Sequence, residues 1–176
     1  MEIKTLVVGQ LQTNCYLLIK DNACLIIDPG DEFTKIKDQI GSFNVLGILI
    51  THHHFDHVGA LKPLQKLYNV KVYEYSNLKE QEYEIGPFKF EVIYTLGHSN
   101  DSVTYYFKKE KIMFVGDFIF ASSIGRTDLD TGDSNLMVKS LIKIKSYNDD
   151  IKLFPGHGNS TTLGYEKEHN YYLENI

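Results

Sequence analysis

The 176-residue sequence predicts an α/β protein built of packed layers. Three observations carry that expectation. Short runs of apolar and β-branched residues with strand periodicity fill the first third of the chain. Two later stretches repeat their apolar residues at helical spacing. Strand-like and helix-like runs then alternate, as they do where helices cover sheets.

Residues 2–8, 14–20 and 23–27 read as the first strands, and VLGILIT at 45–51 as the next. DHVGALKPLQKLY follows, with Val58, Leu61, Leu64, Leu67 and Tyr68 at helical spacing. This predicts a helix from near Asp56, with Pro63 close to its first turns. KVYEY, FKFEVIYTL, SVTYYF and KIMFVG read as further strands, and SNLMVKSLIKIKSY as a second amphipathic helix. IKLF is a last short strand, and YEKEHNYYLENI is expected to close the chain as a helix. No repeat, low-complexity tract or long Pro/Gly/Ser linker interrupts the pattern, so residues 1–176 are expected to form one domain.

Composition narrows the function classes. With 43% hydrophobic residues, four prolines and a net charge of −5, the chain is globular in type. It lacks the clustered lysines and arginines of a protein that binds phosphate backbones, so nucleic acid is not an expected partner. No apolar run approaches the roughly 20 residues needed to span a bilayer. The N-terminal MEIKTLVVGQLQTNCYLLIK shows no basic segment leading into an unbroken apolar stretch. A cytoplasmic location without membrane contact is the expectation, as a monomer or homodimer. Cys15 and Cys24 both fall in apolar runs and are expected as reduced, buried thiols.

The chemistry gathers at strand ends. HHHFDH at 52–57 holds four of the chain's seven histidines and an aspartate. GILITHHHFDH, FEVIYTLGH, KIMFVGD and IKLFPGH are each an apolar run that ends in a metal-ligand type. If these strands lie in packed sheets, their ends share one edge and bring His98, Asp117 and His157 to the cluster. Gly97, Gly116 and Gly156 each precede the donor, which suits a sharp turn. His52 and His54, two apart, can share one ion, while Asp56 and His57 can face a second position. Five imidazoles and two carboxylates are too many for one tetrahedral ion and suit two, with room left for water. Such donors favour zinc, iron or manganese over calcium or magnesium. No cysteine stands near to close a structural zinc site.

THHHFDH resembles the T-H-x-H-x-D-H signature of the metallo-β-lactamase superfamily, and the Gly-His, Gly-Asp and Pro-Gly-His elements follow in that family's order. The resemblance spans nearly the whole chain, including NCYLL, IIDPG and GHSNDS. VGDFIFASSIGRTDL is most similar to the glyoxalase II (hydroxyacylglutathione hydrolase) branch, here in a short form without that branch's C-terminal helical domain. The resemblance implies an αββα sandwich with two divalent ions, zinc first, at one sheet edge. It implies His52, His54 and His98 on one ion, Asp56, His57 and His157 on the other, and Asp117 bridging. The expected activity is thioester hydrolysis, of S-acylglutathione or a related small molecule, by a metal-activated bridging hydroxide that Asp56 orients. Arg126 stands where that branch places a basic side chain for the anionic end of glutathione; a surface ion pair is the alternative. His53 and His169 are expected at the surface or behind the ligands.

Three other readings remain open on these residues. A persulfide dioxygenase of the same fold would hold one iron through His52, His98 and Asp117. A β-lactamase, lactonase or nuclease relative would share the signature. A non-catalytic metal-binding module would keep the donors without turnover.

Overall fold

A computed structural model describes residues 1–176. Two sheets face each other with helices on both outer sides. The first sheet runs in the order β1 (Glu2–Val8), β2 (Thr13–Lys20), β3 (Ala23–Ile27), β4 (Asn44–Leu49), β5 (Val72–Tyr73). Between β3 and β4 lies α1 (Phe33–Ile40), and between β4 and β5 lie α2 (Phe55–Val58) and α3 (Leu61–Tyr68). β1 to β3 are antiparallel, whereas β3, β4 and β5 are parallel, as the intervening helices require.

The second sheet begins with β6 (Glu82–Ile85), β7 (Phe88–Tyr94), β8 (Val103–Phe107) and β9 (Ile112–Gly116). A small hairpin follows, β10 (Ile119–Phe120) with β11 (Ser123–Ile124), then α4 (Ser134–Lys145). β12 (Lys152–Pro155) joins β9 in parallel, and β13 (Thr161–Thr162) joins β12 antiparallel at the edge. The chain closes with α5 (Leu163–His169) and α6 (Tyr171–Glu174).

Three apolar layers hold these elements. Between the sheets, Tyr16, Leu18, Leu25 and Ile27 meet Phe90, Tyr105, Phe107 and Phe114. The opposite face of β2 to β4, with Leu17, Ile26 and Ile48, packs on Ile36, Ile40 and Leu64 of α1 and α3. The outer face of the second sheet, with Ile93, Met113 and Leu153, packs on Met137, Leu141 and Ile144 of α4. Because β2, β3 and β9 are covered on both faces, they read as continuous apolar runs. The order is helix, sheet, sheet, helix, the αββα arrangement.

Two helices differ from expectation. The helix expected from Asp56 is divided at Gly59 and Ala60. Pro63 has no N–H to continue a ladder, and the Ala60 N–H is donated to the Pro29 carbonyl at 2.9 Å. A Cβ on Gly59 would also stand 2.2 Å from the Gly30 oxygen, so that crossing needs the smallest residue. The closing helix divides at Asn170, whose extended backbone ends α5 and whose side chain caps α6 by accepting the Tyr172 N–H. Cys15 and Cys24 are free and buried.

Candidate metal centre

β4, β7, β9 and β12 all point their C-terminal ends to one edge of the sandwich, and the loop after each carries a donor. β4 delivers His52 and the start of α2, β7 delivers His98, β9 delivers Asp117 and β12 delivers His157. Placing ligands beyond the carboxyl ends of strands is common in α/β proteins. At Gly97, φ is 137°, and a Cβ would lie 2.4 Å from the Met137 backbone, so only glycine lets this loop pass α4.

The donors converge. Nδ1 of His54 lies 3.1 Å from Nε2 of His52 and 2.9 Å from Nε2 of His98. Two nitrogens on one tetrahedral zinc stand about 3.3 Å apart, so this trio has close to a ligand spacing. Oδ2 of Asp56 lies 3.6 Å from Nε2 of His57 and 3.2 Å from Nε2 of His157. Asp117 stands between the two trios. Its Oδ1 faces His57 at 3.3 Å, and its Oδ2 faces His157 at 3.4 Å and His98 at 3.6 Å. Nε2 of His57 and Oδ1 of Asp117 are sealed from solvent without a hydrogen-bond partner. Orphaned buried polar atoms of this kind are costly unless something binds them. The seven residues therefore fit a pair of cations: they form three groups with donor atoms within 4.8 Å of one another, and the group of His52, His57 and Asp117 shares His52 with one trio and His57 with the other.

In four of the five histidines the other ring nitrogen is anchored. Nδ1 of His57 pairs with Asp28 at 2.9 Å, that of His98 with the Arg126 carbonyl at 2.8 Å, and that of His157 with the Leu11 carbonyl at 3.0 Å. His52 Nδ1 lies 3.2 Å from the Thr51 hydroxyl. Such anchoring fixes which nitrogen faces a metal. Asp28 also accepts the Thr51 N–H and hydroxyl, at 2.8 and 2.6 Å. Thr13 donates its hydroxyl to Oδ2 of Asp56 at 2.8 Å.

The electrostatics follow from this packing. Burial lowers the affinity of His52 and His54 for a proton, and each neighbouring imidazole adds to that effect. Burial also opposes protonation of His57, but Asp28 and Asp117 outweigh it and raise the pKa to about 10. Hydrogen bonds that the His157 ring donates to Asp117 and Asp56 raise it to about 10 as well. Burial would raise Asp56 and Asp117, yet His157 and His57 hold both well below the ordinary carboxylate range. Without metal, two imidazolium protons thus occupy the place of cations.

The structure brings together all seven residues expected from the sequence, and adds Asp28, Thr51 and Thr13, which that expectation does not include. Asp28 carries the same signal as the others, a polar residue directly after the apolar run β3. Arg126 lies with His98, Asp117, Phe120 and His157 along a cleft of about 470 Å³. Its guanidinium is exposed and bound to both oxygens of Asp128 at 2.7 Å. His53 lies at the surface between Asp101 and Glu74, at 2.8 and 3.0 Å, and His169 stacks on Tyr165.

Fold and site together define a two-sheet protein with a histidine and aspartate metal centre at its rim. The metallo-beta-lactamase superfamily model matches residues 8–81 and 76–157, and the chain belongs to that superfamily. It is 34% identical to the probable metallo-hydrolase YqgX of Bacillus subtilis, over 98% of each chain. To the hydroxyacylglutathione hydrolase GloC of Haemophilus influenzae it is 31% identical, again over 98% of each. The BLEG-1 B3 metallo-beta-lactamase structure matches with a TM-score of 0.94 at 33% identity, covering 98% of this chain and 99% of that one. A di-iron-bound form of TTHA1623 matches at 0.90 and 32% identity, covering 97% and 100%. The chain is a metallo-hydrolase of this superfamily. No helix is long and apolar enough to cross a membrane.

Proposed function

We propose that this metallo-hydrolase holds two divalent ions and cleaves thioesters of small molecules. The observation that carries the proposal is Asp117, placed between two donor trios with its Oδ1 and the facing His57 Nε2 left without partners. His52, His54 and His98 would hold one ion, and Asp56, His57 and His157 the other, with Asp117 shared. Bound there, the metals supply Lewis acidity and a water acidified towards neutral pH.

The protein's own groups do the rest. Asp56, held well below the ordinary carboxylate range, would accept the hydrogen bond that aims the attacking water. The buried rings of His52 and His57 keep bulk solvent from beneath the reacting atoms, which strengthens the electrostatics there. Outside the donor set, the cleft is lined by Phe120, Ser123, Ile124, Gly125, Arg126 and Gly158, none of them a proton donor suited to a leaving amine. A thiolate needs no such donor, because thiols ionise near pH 8.5. This favours thioesters over amides, and the similarity to GloC agrees with it. Arg126 on the rim offers a cation to an anionic tail.

The experiment is elemental analysis of protein purified without added metal or polyhistidine tag, followed by turnover of S-lactoylglutathione and other thioesters. About two ions per chain with thioester hydrolysis is the expected result. Zinc is the first expectation; the di-iron form of TTHA1623 makes iron part of the measurement. One iron per chain, with oxygen consumed in the presence of glutathione persulfide, overturns the proposal in favour of a dioxygenase. Bound metal without turnover of any thioester leaves a binding module instead.

A further inference from the structure

Thr13 is the first residue of β2 and is only 1% exposed, although its side chain carries a hydroxyl. That hydroxyl is donated to Oδ2 of Asp56, a residue 43 positions away. The same oxygen faces Nε2 of His157 at 3.2 Å and Nε2 of His57 at 3.6 Å. The bond therefore falls on the oxygen that points into the second donor trio. An aspartate's terminal torsion is broad and roughly two-fold, so packing alone would leave the carboxylate free to turn. One donor on Oδ2 removes that freedom and leaves a second lone pair on the oxygen for a cation.

The strand that carries Thr13 also grips His157. The Thr13 backbone forms a bridge with His157 itself. Next to it, the Asn14 N–H is donated to the Gly156 carbonyl at 2.7 Å, and its side-chain amide to the Pro155 and Gly158 carbonyls at 3.1 and 2.9 Å. Tyr16 adds its hydroxyl to the Pro155 carbonyl at 2.5 Å. The start of β2 thus bonds to Asp56 and to the segment that carries His157, and makes no hydrogen bond to His52, His54 or His98.

We infer that Thr13 is a positioning residue that sets the affinity of the Asp56, His57 and His157 site selectively, through its hydroxyl bond to Asp56. The inference rests on the two-ion reading above, but its readout is metal stoichiometry rather than turnover. It therefore stands or falls separately from the choice of thioester as substrate.

The test compares Thr13→Val, which keeps the shape and removes the hydroxyl, with Thr13→Ser, which keeps the hydroxyl. Each full-length variant is loaded with zinc and titrated against a competing chelator, with circular dichroism to confirm the fold. In Thr13→Val one of the two ions should dissociate about 10–100-fold more readily, the usual cost of losing a partner behind a ligand. The other ion should keep its wild-type affinity, and Thr13→Ser should retain both. Thr13→Ala serves as the second variant if valine disturbs the fold. Wild-type affinity for both ions in Thr13→Val and Thr13→Ala overturns the inference. So does equal weakening of both ions, or a Thr13→Ser variant that behaves like valine.

Discussion

Nδ1 of His57 lies 2.9 Å from Oδ2 of Asp28, and both side chains are shut away from solvent, at 0% and 2% exposure. When the ring is neutral, as a metal ligand must be, the pair keeps its proton on Nδ1 and frees Nε2 for a cation held between it, Asp56 and Asp117.

Asp28→Asn tests that relationship. The amide turns its NH2 either to the Oδ1 side, against the Thr51 N–H, or to the Oδ2 side, against the Thr51 hydroxyl and His57 Nδ1. If it faces His57, the ring proton moves to Nε2, where a metal would sit. Zinc affinity should fall by about 10–100-fold on the His57 side. Full wild-type affinity measured by chelator competition would count against the anchoring role.

Asp56→Asn removes the nucleophile's acceptor together with one anionic donor of the second trio. The variant should fold as the wild type does, while thioester turnover drops by about 10²–10⁴-fold, the range for a positioned acid–base group. Unchanged kcat would remove Asp56 from the mechanism.

Metal entry should release protons. His57 and His157 are raised to about 10 by carboxylate neighbours in the metal-free protein, and a coordinating imidazole must be neutral. Below about pH 10 the ion at the Asp56, His57 and His157 site competes with these two protons, so its affinity rises with pH and levels off above that value. The same raised values stabilise the metal-free fold fully below the unfolded value near 6.5. That stabilisation is lost as pH climbs through about 10. Calorimetry of zinc binding at pH 7.5 in buffers of different ionisation heat should give different apparent enthalpies; identical enthalpies in all buffers would refute the protonated rings.

Tyr105 joins the sheets. Fully buried on β8, it donates its hydroxyl to the Ile50 carbonyl at 2.7 Å and the Tyr73 carbonyl at 2.9 Å, at the ends of β4 and β5. Tyr105→Phe keeps the ring and should destabilise the protein by about 1–3 kcal/mol, the cost of leaving buried polar groups short of a partner. Thermal unfolding of the two proteins under equal metal loading measures it.

The cluster at 52–57, His98, Asp117 and His157 are legible because each follows an apolar run long enough to identify as a strand, and the four runs end at one edge. Asp28 stands in the same position after β3, but its partners Thr51 and His57 are 23 and 29 residues away, and pairing at that distance leaves no local pattern. α1 escaped notice because Phe33, Ile36 and Ile40 are set among charged residues, and Glu32 before it makes no side-chain cap and adopts φ 52°. The strands β10, β11 and β13 have two residues each, too few to show a period. Helix breaks at Ala60 and Asn170 arise from contacts with Pro29 and Ser123 in distant segments.

The grip of β2 on the loop after β12 has a consequence for how the protein is made. Asn14 and Pro155 are separated by 141 positions, so the second trio cannot exist until the chain's beginning and its late strands have found each other. Closing so long a loop is among the slower steps for a chain to complete. An ion that needs Asp56 and His157 together is captured only by molecules that have finished this closure. It then weighs against reopening of that seam. Loading becomes a checkpoint on assembly: metal-starved chains should be cut by protease near residues 155–158 sooner than loaded ones, long before the two sheets come apart.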